Sequence, residues 1–133
     1  MSARYRAIAH IYHTTNVNSA ALSNDPHHLV RLMLDGFLER VRSAAYAISR
    51  RDIATKAKKI ASAGAILSYL RGILDMDRGD TVAMQLDSLY DYCLRRLSHA
   101  NAQNDVAALD EIVFLMEQIS TAWQELPQAN QHS

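Results

Sequence analysis

The sequence predicts an all-α protein, an antiparallel up-and-down four-helix bundle with a short N-terminal helix or arm, and three observations carry that expectation. Apolar residues recur at helical rather than strand spacing along nearly the whole chain. Glycine (four) and proline (two) are scarce among the 133 residues, so little interrupts a helix. The breaks between periodic runs are short, and short connections place consecutive helices antiparallel. A chain of this length fits one domain and can bury about two-thirds of its unfolded surface, so the core needs no metal or disulfide.

The elements follow in order. Residues 1–22 form an arm in which Tyr5, Ile8 and Tyr12 are spaced for one helical face before Thr14-Thr15-Asn16-Val17-Asn18 breaks it. A free helix of that length is marginal in water, so it must dock or stay mobile. The bundle spans 23–127. Asp25-Pro26 is a helix start, an acceptor side chain at the cap followed by proline where no donor is needed. The helix it opens carries Leu29, Leu32, Met33, Gly36, Phe37, Val41, Ala44, Ala45 and Ile48, and a second apolar set of Val30, Leu34 and Leu38. Ser49-Arg50-Arg51 closes it, and Asp52 caps the next.

That second helix also has two apolar sides. Ile53, Ala57, Ile60, Gly64, Leu67 and Leu74 form one, and Ala63, Ile66, Leu70 and Ile73 the other. In the turn that follows, Gly79 ends a helix and Asp80 caps the next. A calcium loop is excluded there, because the glycine falls one place early and no bidentate acid follows. From about Thr81 the third helix places Leu86, Leu89, Tyr90, Cys93, Leu94, Leu97 and Ala100 on one arc of about 140° at about 100° per residue. Asn104 or Asp105 restarts a last helix with Leu109, Ile112, Val113, Met116, Ile119, Trp123 and Leu126, which Pro127 stops. The polar residues 128–133 read as a disordered tail.

Composition excludes several functions. Fourteen basic and 14 acidic residues balance, so no global field draws the protein to nucleic acid or membrane. The cations cluster in Arg40, Arg42, Arg50, Arg51, Lys56, Lys58 and Lys59, whereas acids dominate from Asp75 to Glu125. This pattern reads as solvated faces attracting each other along neighbouring helices, with a basic patch for an acidic partner as the alternative. The single cysteine, Cys93, rules out a disulfide framework and suits a reducing cytoplasm. Arg4 and Arg6 precede no apolar run, so no secretory signal is read, and no segment is long enough to insert in a membrane.

The six histidines raise the question of metal. His10 and His13 lie one turn apart in the arm, His27 and His28 are adjacent at a helix start, and no Glu-x-x-His accompanies them. Exposed or capping roles are expected, and no cofactor or metal. Cys93 on an apolar arc reads as packing rather than as a nucleophile. No phosphate-binding glycine loop is present, and the chain is not expected to be an enzyme. What stands out is apolar surface beyond the needs of a bundle. Either it receives a partner helix, or the arm or a second copy of the chain covers it in a weak homodimer.

Leu89-Tyr90-Asp91-Tyr92, then Arg95-Arg96-Leu97 and Ala100-Asn101, resemble the flagellar secretion chaperone family, FliS. Asp25-Pro26-His27-His28-Leu29-Val30 and Asp35-Gly36 look like the family's opening signature. Leu74-Asp75 with Gly79 resembles its central turn, and Asn104-Asp105 with Ala122-Trp123 its ending. The likeness runs from about Ser19 to Leu126. It departs at Leu34, where members often carry an aromatic, at Cys93, often methionine, and at Asp80, often glycine.

The resemblance implies a cytoplasmic export chaperone. Such a protein binds the disordered C-terminal segment of flagellin, prevents premature polymerisation and delivers it to the flagellar type III export apparatus, whose gate would supply a further partner. It also implies that the client folds into helices around the bundle and that the arm shares the client surface, with Tyr12 placed there. The segments Leu29 to Phe37 and Ile60 to Leu70 are the candidates for the groove: Leu29, Leu32, Met33 and Phe37 on one helix, Ile60, Ile66, Leu67 and Leu70 on the next.

Overall fold

The computed structural model describes residues 25–76 and 81–125. The arm with Tyr12, the Gly79-Asp80 cap, Pro127 and the tail lie outside them. Four helices account for most of the described chain: α1 Pro26–Ser49, α2 Ile53–Gly72, α3 Thr81–Gln103 and α4 Val106–Gln124. Each packs on two others, in the ring order α1, α2, α3, α4 and back to α1, as an up-and-down bundle does.

Local chemistry sets the helix ends. The carboxylates of Asp25, Asp52 and Asp105 accept from the backbone N–H of His27 (3.0 Å), Thr55 (3.1 Å) and Ala108 (3.2 Å), satisfying donors that a helix start leaves open. The two described turns reuse one device. After α1 the Asp52 N–H reaches the Ala47 carbonyl (2.8 Å) and the Arg51 N–H that of Ile48 (3.0 Å), with Arg51 at φ 61°. After α3 the Asp105 N–H reaches the Ala100 carbonyl (3.2 Å), with Asn104 at φ 52°. This closure needs one left-handed residue, usually glycine and sometimes asparagine. In both turns the residue that completes the closure also caps the next helix, which keeps the connections short.

The core runs the length of the bundle. Trp123, Tyr90, Phe37, Leu67, Leu70, Leu109, Ile112 and Met116 are enclosed within it, each worth roughly 1.5–3 kcal/mol by burial. The third helix follows its expected arc closely, with Leu86, Tyr90, Cys93, Leu97 and Ala100 buried and Leu89 and Leu94 half-buried against the core. In the two-faced helices the inward stripe cuts across both sequence sets. α1 buries Val30, Leu34, Phe37, Leu38, Val41 and Ala44, and α2 buries Ile60, Ala63, Leu67 and Leu70.

Two buried polar groups differ from their sequence readings. Lys56, one of the basic run, is enclosed, and its Nζ donates to the Asn101 carbonyl (2.8 Å) and Asn104 Oδ1 (2.7 Å). It fastens the α3–α4 turn to the start of α2. His27, expected to be exposed or capping, is buried where α4 ends. Its ring stacks on Trp123 with centroids 4.7 Å apart, and the indole Nε1 donates to the His27 carbonyl at 2.8 Å.

His27 Nε2 stands 3.2 Å from the Trp123 carbonyl, which can only accept, so Nε2 carries the proton. Nδ1 is enclosed without a partner. Protonating it would bury a charge, and burial accordingly pushes the imidazole below its ordinary 6.5. The sign of the pH dependence follows. Above about pH 6.5 stability is level; below it the unfolded chain takes up a proton that the folded ring resists, so stability falls as pH drops from there toward the lowered native value. Thermal melts from about pH 7.5 to about pH 5 should show this fall, and His27→Gln should flatten it. An unchanged slope in that variant would assign the pH dependence elsewhere. The carboxylates of Asp91, Asp105 and Glu111, held low by bonds to Arg95, His99 and Tyr92 respectively, act only at lower pH.

Candidate functional site

The apolar sides that α1 and α2 do not turn inward meet along one seam. Arg40 Nε donates to Ser62 Oγ at 2.6 Å, and a Cβ on Gly36 would lie 3.7 Å from Ile66 Cδ1, which fixes the antiparallel register. In that register Met33 is level with Tyr69 and Leu29 with Ile73. Leu29, Met33 and Gly36 follow at helical spacing, with Leu32 beside them. Leu32 is 51% exposed and Tyr69 39%, while Leu29, Met33, Ile66 and Ile73 are half-buried. Gly36 leaves room for the Arg40 side chain on the seam: a Cβ there would stand 3.0 Å from Arg40 Nη1, the nitrogen that donates to the Gly36 carbonyl at 3.0 Å.

The expected groove residues therefore separate. Leu29, Leu32, Met33 and Ile66 lie on the seam. Phe37, Leu67 and Leu70 are fully enclosed in the bundle and Ile60 is nearly so, which is a correction to their reading as surface residues. The periodicity of a two-faced helix shows two apolar sides, and the stripe that turns inward takes residues from both. Tyr12 lies outside the described residues. Tyr69 and Ile73 join the seam although neither was named as a groove residue, Ile73 having been read only as part of the second apolar side, and their spacing of three and seven from Ile66 was the available signal.

The flanks of α3 differ in chemistry. Arg71 bridges from α2 to Asp87 (2.7 Å) and Asp91 (3.1 Å), and Asp91 also accepts from Arg95 (3.1 Å). On the other side Glu111 of α4 accepts from Tyr92 Oη (2.7 Å) and Arg96 Nε (3.0 Å). The phenol is raised by its bond to Glu111, so it remains a donor at neutral pH. These pairs close both edges of α3 with polar links.

Nothing catalytic assembles. Burial pushes the Cys93 thiol up to about 11, so it is not a thiolate at neutral pH. Among the described residues no three His, Cys, Asp or Glu side chains converge as metal ligands, and no helix is long and apolar enough to cross a membrane. His99 is engaged with Asp105 at 2.9 Å. A helical bundle with a partly exposed apolar seam between two helices has the form that can receive an amphipathic helix.

Comparison with known proteins agrees. Residues 8–130 match the model of a family described as Flagellar protein FliS, and the chain belongs to that family. It is 36% identical over 112 residues to the flagellar secretion chaperone FliSB of Pseudomonas aeruginosa, covering 84% of this chain and 89% of that one. It is 34% identical to the flagellar secretion chaperone FliS of Escherichia coli over 115 residues (86% and 85% covered), and 33% to that of Salmonella typhimurium over 116 (86% of each). The protein is thus a flagellar secretion chaperone and not an enzyme.

Proposed function

We propose that this chaperone binds the C-terminal segment of flagellin in the cytoplasm, keeps it from polymerising and delivers it to the type III export apparatus. The observation that carries the reading is the seam of Leu29, Leu32, Met33, Ile66, Tyr69 and Ile73, apolar and partly open to solvent in a member of a secretion-chaperone family. An amphipathic segment that is disordered when free would fold onto such a seam, gaining about 25 cal/mol for each Å² of apolar area it covers. Ordering the segment opposes that gain and keeps affinity low enough for release. Tyr12, on the arm of residues 1–22, takes a place at the same surface.

The test is titration calorimetry with the C-terminal peptide of the cognate flagellin. Leu32→Asp sets a charge where the client would be apolar, and should weaken binding about tenfold while shifting stability by no more than about 0.5 kcal/mol, as befits a surface position. A folded wild-type protein that ignores the peptide would sink the flagellin reading. Binding that is undiminished in Leu32→Asp would instead displace the site from the seam.

A further inference from the structure

We propose that the end of the bundle where α1 turns into α2 is a second docking surface, and that it takes an acidic polypeptide segment. Arg50, Arg51 and Lys58 are exposed there and Lys59 is half-exposed. The cross-helix attraction expected for the basic run is realised by Arg42, which pairs with Glu117 on α4, and Lys56 is engaged by neutral acceptors. Among the described residues Arg50, Arg51, Lys58 and Lys59 form no ion pair. The nearby acids are engaged first by local donors, Asp52 as the cap of α2 and Glu39 as acceptor for Ser43 Oγ at 2.6 Å, and Arg50 and Lys59 act on them only through space, Arg50 on Asp52 and Lys59 on Glu39.

The charges are held there against two local preferences. Arg51 has φ 61°, the left-handed position that glycine fills without strain, and a side chain kept in such a place points to a use for it. Lys58 and Lys59 lie in the second turn of α2, toward the positive end of the helix, where the dipole gives a cation no support and the Asp52 cap is the acid at the helix start. Complementing the C-terminus of α1 would account for Arg50 and Arg51. It leaves the lysines unexplained.

The surface also has shape. Tyr46, Arg50, Asp52 and Lys59 line an open cleft between the helices. Tyr46 is 63% exposed, and the Arg50 guanidinium lies 5.6 Å from the ring centroid while donating to the phenol oxygen at 3.0 Å. One N–H of the guanidinium is used in that bond, which fixes the group and leaves its other donors to grip a carboxylate. An acidic peptide fits better than a nucleic acid. The net charge is zero, and Asp52 interrupts any continuous track for phosphates. From Leu32 to Arg50 is about 27 Å along α1 at 1.5 Å per residue, so this surface and the seam can be occupied together.

The test is fluorescence anisotropy of the full chain with a labelled poly-glutamate peptide, from about 50 mM to about 300 mM salt. Poly-lysine and an oligothymidylate serve as controls. The glutamate peptide should bind at low salt and be released by high salt, and Lys59→Glu should weaken it about tenfold. Arg51→Gly is the discriminating variant, because it removes both a charge and a strained residue. It should melt higher than the wild type while binding about threefold more weakly; a merely structural arginine would leave binding unmoved. Leu32→Asp should bind the glutamate peptide normally, so a failure of the flagellin reading leaves this one intact. No binding at low salt, unchanged binding in both charge variants, or tighter binding of the oligothymidylate would overturn the proposal.

Discussion

Trp123→Ala is expected to remove about 4 kcal/mol of stability, a large share of the about 5–15 kcal/mol that holds a domain of this size together. The indole is 2% exposed and fills the space between the end of α4 and the start of α1. Truncation would open a cavity, lose the stack on His27 and remove the Nε1 donor to the His27 carbonyl. Trp123→Phe retains most of the volume but not the donor, and should cost about 1–2 kcal/mol, the range of one buried hydrogen bond with imperfect repacking. Urea unfolding separates these terms: both midpoints should fall with the slope unchanged. A loss below about 1 kcal/mol in the alanine variant would show that the two helix ends pack without the indole.

Lys56 should give the second largest effect. Lys56→Ala is expected to cost about 2–3 kcal/mol, because the Asn101 carbonyl and Asn104 amide oxygen lose the donor they share. Lys56→Met keeps most of the buried stem and loses only the donor, so about 1–2 kcal/mol is expected there. The gap between the two variants measures packing alone. Hydrogen exchange provides a local check, since the Asp105 N–H that closes the α3–α4 turn on the Ala100 carbonyl (3.2 Å) should exchange faster in both. If melting and exchange both matched the wild type, the clip would contribute nothing to the turn.

These two residues show where the sequence could be read and where it could not. Asp25 and Asp52 were readable as caps, and Asp105 as one of two candidates beside Asn104, since the group each one satisfies lies two or three residues away. α3 was readable because its apolar residues form a single arc. In α1 and α2 both arcs are apolar, and the stripe that turns inward, set by the neighbouring helices, takes residues from each. Phe37, Leu67 and Leu70 therefore looked like groove residues and are core, whereas Leu29, Leu32, Met33 and Ile66 stayed at the surface. Lys56 looked like one more solvated cation, because its acceptors are 45 and 48 residues distant in sequence. His27 meets Trp123 across 96 residues, and no periodicity carries such a pairing. Nor did the spacing of the basic run foretell that Arg42 would pair with Glu117 while Arg50, Arg51, Lys58 and Lys59 would form no close ion pair among the described residues.

The polar links along α3 have a consequence for occupancy. Arg71 joins α2 to Asp87 and Asp91, and Glu111 joins α4 to Tyr92 and Arg96. An apolar helix laid over either edge would have to strip water from those charges and part the pairs, with little hydrocarbon to gain in return. The ring order of the helices gives four edges, and two of them are closed in this way. A ligand that begins on the α1–α2 edge therefore has no equivalent starting place on the opposite side of the molecule. Pseudo-symmetric bundles can load two identical ligands across their axis; this one is chemically one-sided, and its saturation point should be a single chain.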